Sequence, residues 1–405
     1  MSSTYITIRG IDTLLFRDGR PFDTTPGGRA ESLRIPAPST LAGFVRTKIG
    51  KDDKKEWEGI SDAVALRGPL LLRKQGVGAS SGIVLPAPAD AVVYRNDAGD
   101  SRVMVLRPVL EGSDICDIPG GMRALDVDED RKPETGYGLW TWPDVKSWLL
   151  DEWSDGRAPE KIEELQTDPR CHVQIGLEGV AEEGKLFTTE MVSFERYPAW
   201  QAYEQDTASE EWSLLCCIDT DRDTADLNGP GPLGGEHRMA VIEPDSGSWP
   251  VCPTALMKRL SESKQVRLVL ATPGVFEYGW RPQWLDPTTK TGSPPGLEGD
   301  ILLKLVAACV PRRQPVSGWD YSKRVEGDAE NPGRPKPVRW TAPAGSVYFF
   351  EVVEGDAGIL AEKCWLESVS DIEHNPNGLP PRNNRNDGFG LALWGVWSDK
   401  KEQSR

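Results

Sequence analysis

The chain has 405 residues, of which 38% are hydrophobic, with 33 prolines and 41 glycines. That is room for two or three ordinary domains with many turns and long loops. A formal net charge of −16 excludes a uniformly basic nucleic-acid binder and leaves that role only to a local basic surface. The start, MSSTYITIRG, carries no charged leader or apolar h-region, and the most apolar run, ILLKLVAACV, is short and holds Lys304, so a soluble, cytoplasmic protein with no membrane contact is expected.

The predicted elements begin with a strand over residues 5–16 and a turn at Asp18-Gly19. After the loop DTTPGGRAESLR, Ser39 or Thr40 is placed to cap a helix running to Ile49, with Leu41, Phe44 and Val45 on one face and Gly50 as its stop. GPLLLRK and MVLRPVL read as short strands. GLWTWPDVKSWLLDEW reads as a helix with Trp142, Val145, Leu149 and Trp153 on one stripe, and GRAPEKIEELQ continues acidic and helical. Residues 155–168 are the best boundary candidate, dividing the chain into domains 1–168 and 169–405. The second half alternates strands (HVQIGL, LFTTEMVSF, SLLCCID, VRLVLAT, ILLKLVAACV, GSVYFFEVV, GLALWGVW) with one clear helix, PTALMKRLSESK. Strands with interspersed helices in each half predict an α+β chain of two ferredoxin-like sandwiches, with no tandem repeat in the sequence itself.

Charge is unevenly spread. Residues 150–230 hold 6 basic and 20 acidic side chains, a net −14, whereas residues 1–48 and 307–340 each hold 7 basic and 4 acidic. A basic groove built from both ends of an acidic protein is one reading; a solvated surface is the other. The seven cysteines form no C-x-x-C pair, and His172, His237 and His374 lack metal-ligand spacing. Reduced thiols, no metal and no cofactor are expected.

The C-terminal run NRNDGFGLALWGVW places Gly388, Gly390 and Gly395 before an apolar aromatic stretch. No helix and no Lys-Ser/Thr follows, which excludes the dinucleotide fingerprint and the Walker loop. A tight turn before an edge strand is one reading. A loop with free backbone N–H groups, approaching a nucleic-acid backbone, is the other.

LFRDGRPF, IPAPSTLAGFVRTKI, RCHVQIGLEGVAEEGKLFTTEMVSF, LGGEHRMAVIE, ATPGVFEYGWRP, RWTAPAGSVYFFEV and NDGFGLALWGVW follow one another over nearly the whole chain. Together they resemble the RAMP-type third subunit of the Cmr complex, the type III-B CRISPR effector. The resemblance implies two ferredoxin-like (RRM-like) domains with long loops and insertions. It also implies a non-catalytic scaffold that binds the 5′ tag of the crRNA in antiviral defence. Its partners would be the large polymerase/cyclase-like subunit and the RAMP backbone subunits, with target RNA met only indirectly. The acidic stretch 150–230 departs from the family core, and DTDRDTADLNGPGP reads as a surface elaboration.

Candidate RNA-binding residues follow. Arg17, Arg20, Arg29 and Arg34 surround the first loop, and Ser39, Thr40 and Arg46 lie on the helix after it; arginine pairs phosphate bidentately and stacks on bases. Arg238 follows the glycine-rich GPGPLGG. Trp280 with Arg281, and Arg339 with Trp340, are either stacking platforms beside a charge or packing tryptophans with exposed arginines. Arg385, Gly388, Phe389 and Gly390 make the terminal loop. His172, with Arg170 nearby, is a further RNA-binding candidate and the one residue that suggests the rival reading, a metal-independent crRNA-processing endoribonuclease; with no partner acid or base in sight, no catalytic residue is assigned. A third reading is an adaptor that touches only proteins.

Overall fold

The computed structural model of the chain describes residues 2–20, 28–50, 59–76, 80–109, 118–127, 130–153, 157–196, 210–320, 334–373 and 382–398. It is a mixed α+β fold of many strands and few helices. Two compact units form, each from three separate segments: Met1–Ser81, Leu165–Gly247 and Gln314–Thr341 in the first, and Gly82–Glu164, Ser248–Arg313 and Ala342–Arg405 in the second. The expected stretches 1–168 and 169–405 therefore each contribute to both units. The reason is strand pairing between residues more than a hundred positions apart, which no local sequence signal records.

In the first unit the strand Ser2–Gly10 buries Ile6 and Ile8 on one face, as period-two alternation requires. It pairs antiparallel with Met239–Pro244 on one side and Glu210–Thr220 on the other, and Val64–Gln75 lies beyond Glu210–Thr220. Numbered along the chain, these four strands stand in the order 4-1-3-2. The helix Pro38–Gly50 fills the first crossover and buries Leu41, Phe44, Val45 and Ile49. It starts at Pro38, where a missing N–H costs nothing. Ser39 and Thr40 thus sit inside the first turn, not at the cap, and the Thr40 N–H donates to Ala37 O at 2.9 Å. A separate hairpin of Thr167–Ile175 and Ala181–Val192 carries Gly28–Ala30 as a parallel third strand.

In the second unit Gln265–Leu270 lies between Ala392–Val396 and Val347–Gly355, with Ile301–Cys309 outside the latter, all antiparallel. Counted along the chain the order is again 4-1-3-2. Here the helix Gly358–Lys363 lies between the third and fourth strands. The first unit keeps a helix in the first crossover, the second in the last.

The core of the second unit holds a charge. Arg267, on its first strand, is 1% exposed. Its Nη1 donates to Asp90 Oδ2 at 2.8 Å, its Nη2 to the Trp148 carbonyl, and its guanidinium lies 5.1 Å from the Trp148 ring centroid. Asp90 also accepts from Trp148 Nε1 at 2.8 Å. Asp151 is paired with Arg107 at 2.8 Å. Burial works against its charge, but Arg267, Arg107 and Ser398 hold its carboxyl below the ordinary value. These contacts fasten segment 82–164 to the sheet of its unit.

Several expected elements differ. The first strand ends at Gly10, not near 16. The long tryptophan helix shrinks to Trp142–Leu149, because Leu139–Thr141 is a strand and Thr141 caps the helix, accepting from the Asp144 N–H. Residues 157–166 are irregular rather than helical; Pro159 disfavours helical geometry at the residue before it and supplies no N–H. MVLRPVL breaks after Ser101–Val105. Within DTDRDTADLNGPGP, Gly229–Pro232 pairs with Met239–Pro244 and Leu227 is buried, so this stretch is partly sheet edge rather than pure surface. The Gly27 side of the first loop, Cys116 and His374 lie outside the described residues.

Candidate nucleic-acid interface

The terminal loop is built into the second unit. Arg385–Asp387 forms one 3-10 turn, ended by Gly388 at φ +93°, and Gly390 follows at +72°, both in the left-handed region that favours glycine. The loop amides are already used. Gly388 N–H donates to Arg385 O at 3.0 Å, Phe389 N–H to Asn384 O at 3.3 Å and Gly390 N–H to Pro273 O at 2.8 Å. Thr272 Oγ1 accepts from Leu391 N–H at 2.9 Å and donates to Gly388 O at 2.7 Å. Phe389 is fully buried. The expectation of free N–H groups waiting for phosphate is therefore corrected. Backbone groups buried away from water must be paired, and here the protein pairs them itself.

The same joint positions the Tyr-Gly-Trp-Arg-Pro loop. Asp371 accepts the Glu277 N–H at 2.9 Å and the Gln283 N–H at 3.0 Å, and its own carbonyl accepts from Asn384 Nδ2. Burial pushes the Asp371 carboxyl up and the Arg385 guanidinium down; each is drawn back by the other's charge. Arg385 Nε donates to Ser370 O at 2.6 Å. Arg281 is buried, lies 4.6 Å from the Tyr278 ring centroid and donates to Leu285 O. Tyr348 OH donates to the Trp280 carbonyl at 2.6 Å. The fold thus brings Trp280, Arg281, Arg385, Gly388, Phe389 and Gly390 together around Thr272, Ser370 and Asp371. Sequence reading missed these three, since lone Ser, Thr and Asp residues carry no spacing signal.

The other candidates gather in the first unit. Gly19 packs so closely on Pro315 and Val316 that a Cβ there would lie 3.2 Å from each. This sets Arg17 and Arg20 beside the pair Gln314–Val316 and Arg339–Thr341, where Trp340 is 44% exposed opposite Pro315. Gly235 N–H donates to Leu15 O at 2.8 Å, which brings the Arg238 loop to the same region. The first loop thus packs on residues 314–316 of the second arginine-rich segment within this unit; residues 307–313 of that segment belong to the other unit, and residues 321–333 lie outside the described residues.

Carboxylates accompany these arginines. Arg20 Nη1 pairs with Glu31 at 2.9 Å and Arg20 Nε with Asp18 at 3.1 Å; Arg29 pairs with Glu190 at 3.3 Å and Arg238 with Asp12 at 2.8 Å. The Thr13 N–H, together with Arg170 and Arg238, holds the Asp12 carboxyl below its ordinary value. Arg34 donates to the Leu165 carbonyl. Arg46 is a clamp, donating to Val64 O at 3.1 Å and Ser61 O at 3.2 Å from the helix. His172 sits in mid-strand rather than at the start of one. Its Nε2 bonds Thr189 Oγ1 at 2.7 Å and its ring stacks on Phe187 with centroids 5.2 Å apart.

Among the described residues no group of three or more His, Cys, Asp or Glu side chains is arranged to hold a metal ion, and no helix is long and apolar enough to cross a membrane. All six described cysteines are free.

Two sheets in which four antiparallel strands stand in the same order, with arginine-bearing loops at their connections, define a mixed α+β protein. Residues 6–397 match the family described as CRISPR-associated protein (Cas_Cmr3), and the chain belongs to that family, as the resemblance implied. No curated protein matches the sequence. Among solved structures, a chain of the cryo-EM structure of the Type III-B Cmr-beta bound to cognate target RNA is similar at 14% identity, with TM-score 0.44, over 85% of this chain and 86% of that one. A chain of the same assembly with target RNA and AMPPnP, state 1, is similar at 13% identity and TM-score 0.42, over the same shares.

Proposed function

We propose that the chain is a non-catalytic RNA-binding scaffold of a type III-B CRISPR effector, working in the cytoplasm. It holds the 5′ tag of the crRNA and links the large polymerase/cyclase-like subunit to the RAMP backbone subunits; target RNA is met only indirectly. The observation that carries this reading is the 4-1-3-2 order of four antiparallel strands, present twice in a member of a CRISPR-associated family. We read each sheet as a ferredoxin-like, RRM-like module of RAMP type with insertions. The first unit supplies the RNA surface, through Arg17, Arg20, Arg29, Arg238 and the exposed Trp340. The carboxylates beside those arginines compete with phosphate for them, and phosphate takes the carboxylates' place on binding. His172 spends a ring nitrogen on Thr189 and a ring face on Phe187, which supports a structural role for it.

The test is a binding titration of the purified chain with a labelled tag oligonucleotide, alongside incubation with repeat RNA. Binding without cleavage is expected, and Arg20→Ala with Arg29→Ala should weaken it. Metal-independent cleavage lost in His172→Ala would establish the endoribonuclease instead, and absence of binding by both the chain and the assembled complex would remove the RNA role.

A further inference from the structure

The hairpin of Gly229–Pro232 and Met239–Pro244 turns on strained backbone. The Leu233 N–H donates to Arg238 O at 2.7 Å, and residues 234–237 make the loop between them. The Arg238 N–H donates back to Gly235 O at 3.4 Å, so Glu236 and His237 are the central residues of a tight turn. Both lie in the left-handed region, Glu236 at φ +59° and His237 at φ +48°. A turn with two such residues in succession favours Asn-Gly or Gly-Gly, because a side chain there crowds its own backbone. The neighbours hold the turn in place. The Gly235 N–H donates to Leu15 O at 2.8 Å, a Cβ at Gly234 would strike the Leu15 carbonyl, and Leu233 is buried. Glu236 and His237 are themselves exposed. Among the described residues neither side chain makes a hydrogen bond, an ion pair or a ring contact. No contact of theirs within the chain therefore offsets the strain. Two side chains held in strain on the surface point to a use outside the chain.

The surroundings select the ligand. Arg238 directly follows the turn and pairs with Asp12 at 2.8 Å, and Arg170 reaches the same carboxylate at 3.8 Å. The tip thus borders an arginine assigned to the RNA surface. A carboxylate there is repelled by phosphate and can only accept hydrogen bonds. The donors on single-stranded RNA are the base edges and the ribose 2′-hydroxyl. Guanine alone offers two side by side, N1–H and N2–H, which match the two oxygens of a carboxylate. Adenine and cytosine offer one amino group beside an acceptor, and uracil one N–H between two carbonyls. An imidazole supplies a ring on which an unstacked base can lie. We infer that the Glu236–His237 tip recognises one unstacked guanine of the bound RNA. Glu236 accepts from its N1–H and N2–H, and His237 stacks on the plane of the base. The fixed turn holds the two side chains at neighbouring positions before the RNA arrives, which lowers the ordering cost of the contact. The inference rests on the proposed reading that the first unit holds the tag.

The test titrates the purified full chain with labelled single-stranded tag RNAs, each position carrying guanine, adenine, cytosine or uracil in turn. One position should prefer guanine about tenfold, which is ~1.4 kcal/mol. Inosine at that position lacks the N2 amino group and should bind about tenfold more weakly than guanine. 7-Deazaguanine keeps both donors and should bind as guanine does. Glu236→Gln should abolish the preference and leave the other three bases bound as before. His237→Ala should weaken all four bases at that position alike. Glu236→Asn combined with His237→Gly supplies the sequence the turn favours, so the melting temperature should rise while the preference disappears. No preference for guanine at any position, a preference that survives Glu236→Gln, or a Glu236→Gln loss equal for all four bases would each overturn the inference. A combined variant no more stable than wild type would show the turn unstrained and remove the ground for it. Variants that bind RNA as wild type does but enter the complex less well would also overturn it, since the tip would then meet a protein. RNA bound without base discrimination removes only the guanine contact. No RNA binding by either the chain or the assembled complex removes the RNA reading and the contact with it.

Discussion

At Gly390 a side chain has nowhere to go. The backbone lies at φ +72°, and an added Cβ would stand 2.9 Å from Ser370 N. Gly390→Val should cost about 1–3 kcal/mol in backbone strain alone, with displacement of Ser370 added to that. Thermal stability and crRNA loading should therefore fall together, as measured by melting and by complex assembly on one preparation; loading lost at unchanged stability would restore a direct RNA role to the loop. Arg267 gives a second residue-scale prediction. Arg267→Met leaves the buried Asp90 carboxylate with the Trp148 Nε1 and backbone donors but without the paired guanidinium, and breaking such a pair costs about 3–5 kcal/mol. Burial already pushes the Asp90 carboxyl above its ordinary 3.8, although Arg267 opposes this. Losing Arg267 raises it further. A carboxyl whose folded pKa lies above its unfolded one weakens folding as pH rises through that interval. The variant's deficit should accordingly grow as pH is raised from about 4 toward neutrality, measured by urea unfolding at several pH values. A deficit independent of pH would mean that lost packing, rather than the orphaned charge, dominates. On the surface, Glu190 pairs with Arg29 and Asp12 with Arg238. Each pair keeps one partner more than half exposed to water, and such pairs are worth little to stability, so Glu190→Gln and Asp12→Asn should lower the melting temperature only slightly while tightening tag-RNA binding. Weaker binding in both would show that the carboxylates position the arginines rather than compete with phosphate.

At the scale of elements, the sequence is readable where burial imposes a period. Ser2–Gly10, with Ile6 and Ile8 inward, announces itself by alternation; Pro38–Gly50, with Leu41, Phe44, Val45 and Ile49 inward, does so by helical spacing. Thr254–Glu262 is a third such case. Residues 157–166 mislead because Ile162 and Leu165, three apart, are both buried as in a helix while the chain there is irregular. The terminal loop was legible in its glycines but not in its bonding. The acceptors for its amides, Pro273, Asn384 and Thr272, include residues more than a hundred positions away, and no local pattern records a long-range acceptor. The arginines were legible for the same reason that their partners were not. Glu190 and Asp12 reach Arg29 and Arg238 only through strand pairing and loop packing. Basic residues counted along a sequence therefore overstate the free positive charge on the folded surface. This bears on salt dependence. Each phosphate neutralised on single-stranded RNA contributes roughly 0.7 to the log–log salt slope, about −3 for four contacts. Carboxylates released from arginine recruit cations again, so the tag-binding slope should be shallower than about −3, and Glu190→Gln should steepen it. A slope at the full value in wild type, unchanged in the variant, would mean the contacts are made by other residues.

At the scale of the molecule, the chain carries two sheets of one strand order and a net charge of −16. On the proposed RNA-binding reading, local rather than global charge would hold the RNA, and the first unit concentrates the residues suited to it. Its first loop, the Arg238 loop and the pair holding Arg339 and Trp340 converge through Gly19, Gly235 and Leu15. The central claim is that this surface holds the 5′ tag within an effector complex. The most direct measurement is photo-crosslinking of crRNA carrying 4-thiouridine in the tag, loaded into the complex assembled with this chain, followed by mass spectrometry of the adducts. The account predicts adducts on peptides of this chain containing Arg17, Arg20, Arg29, Arg238 or Trp340. Tag adducts confined to other subunits, with none on this chain, would contradict it.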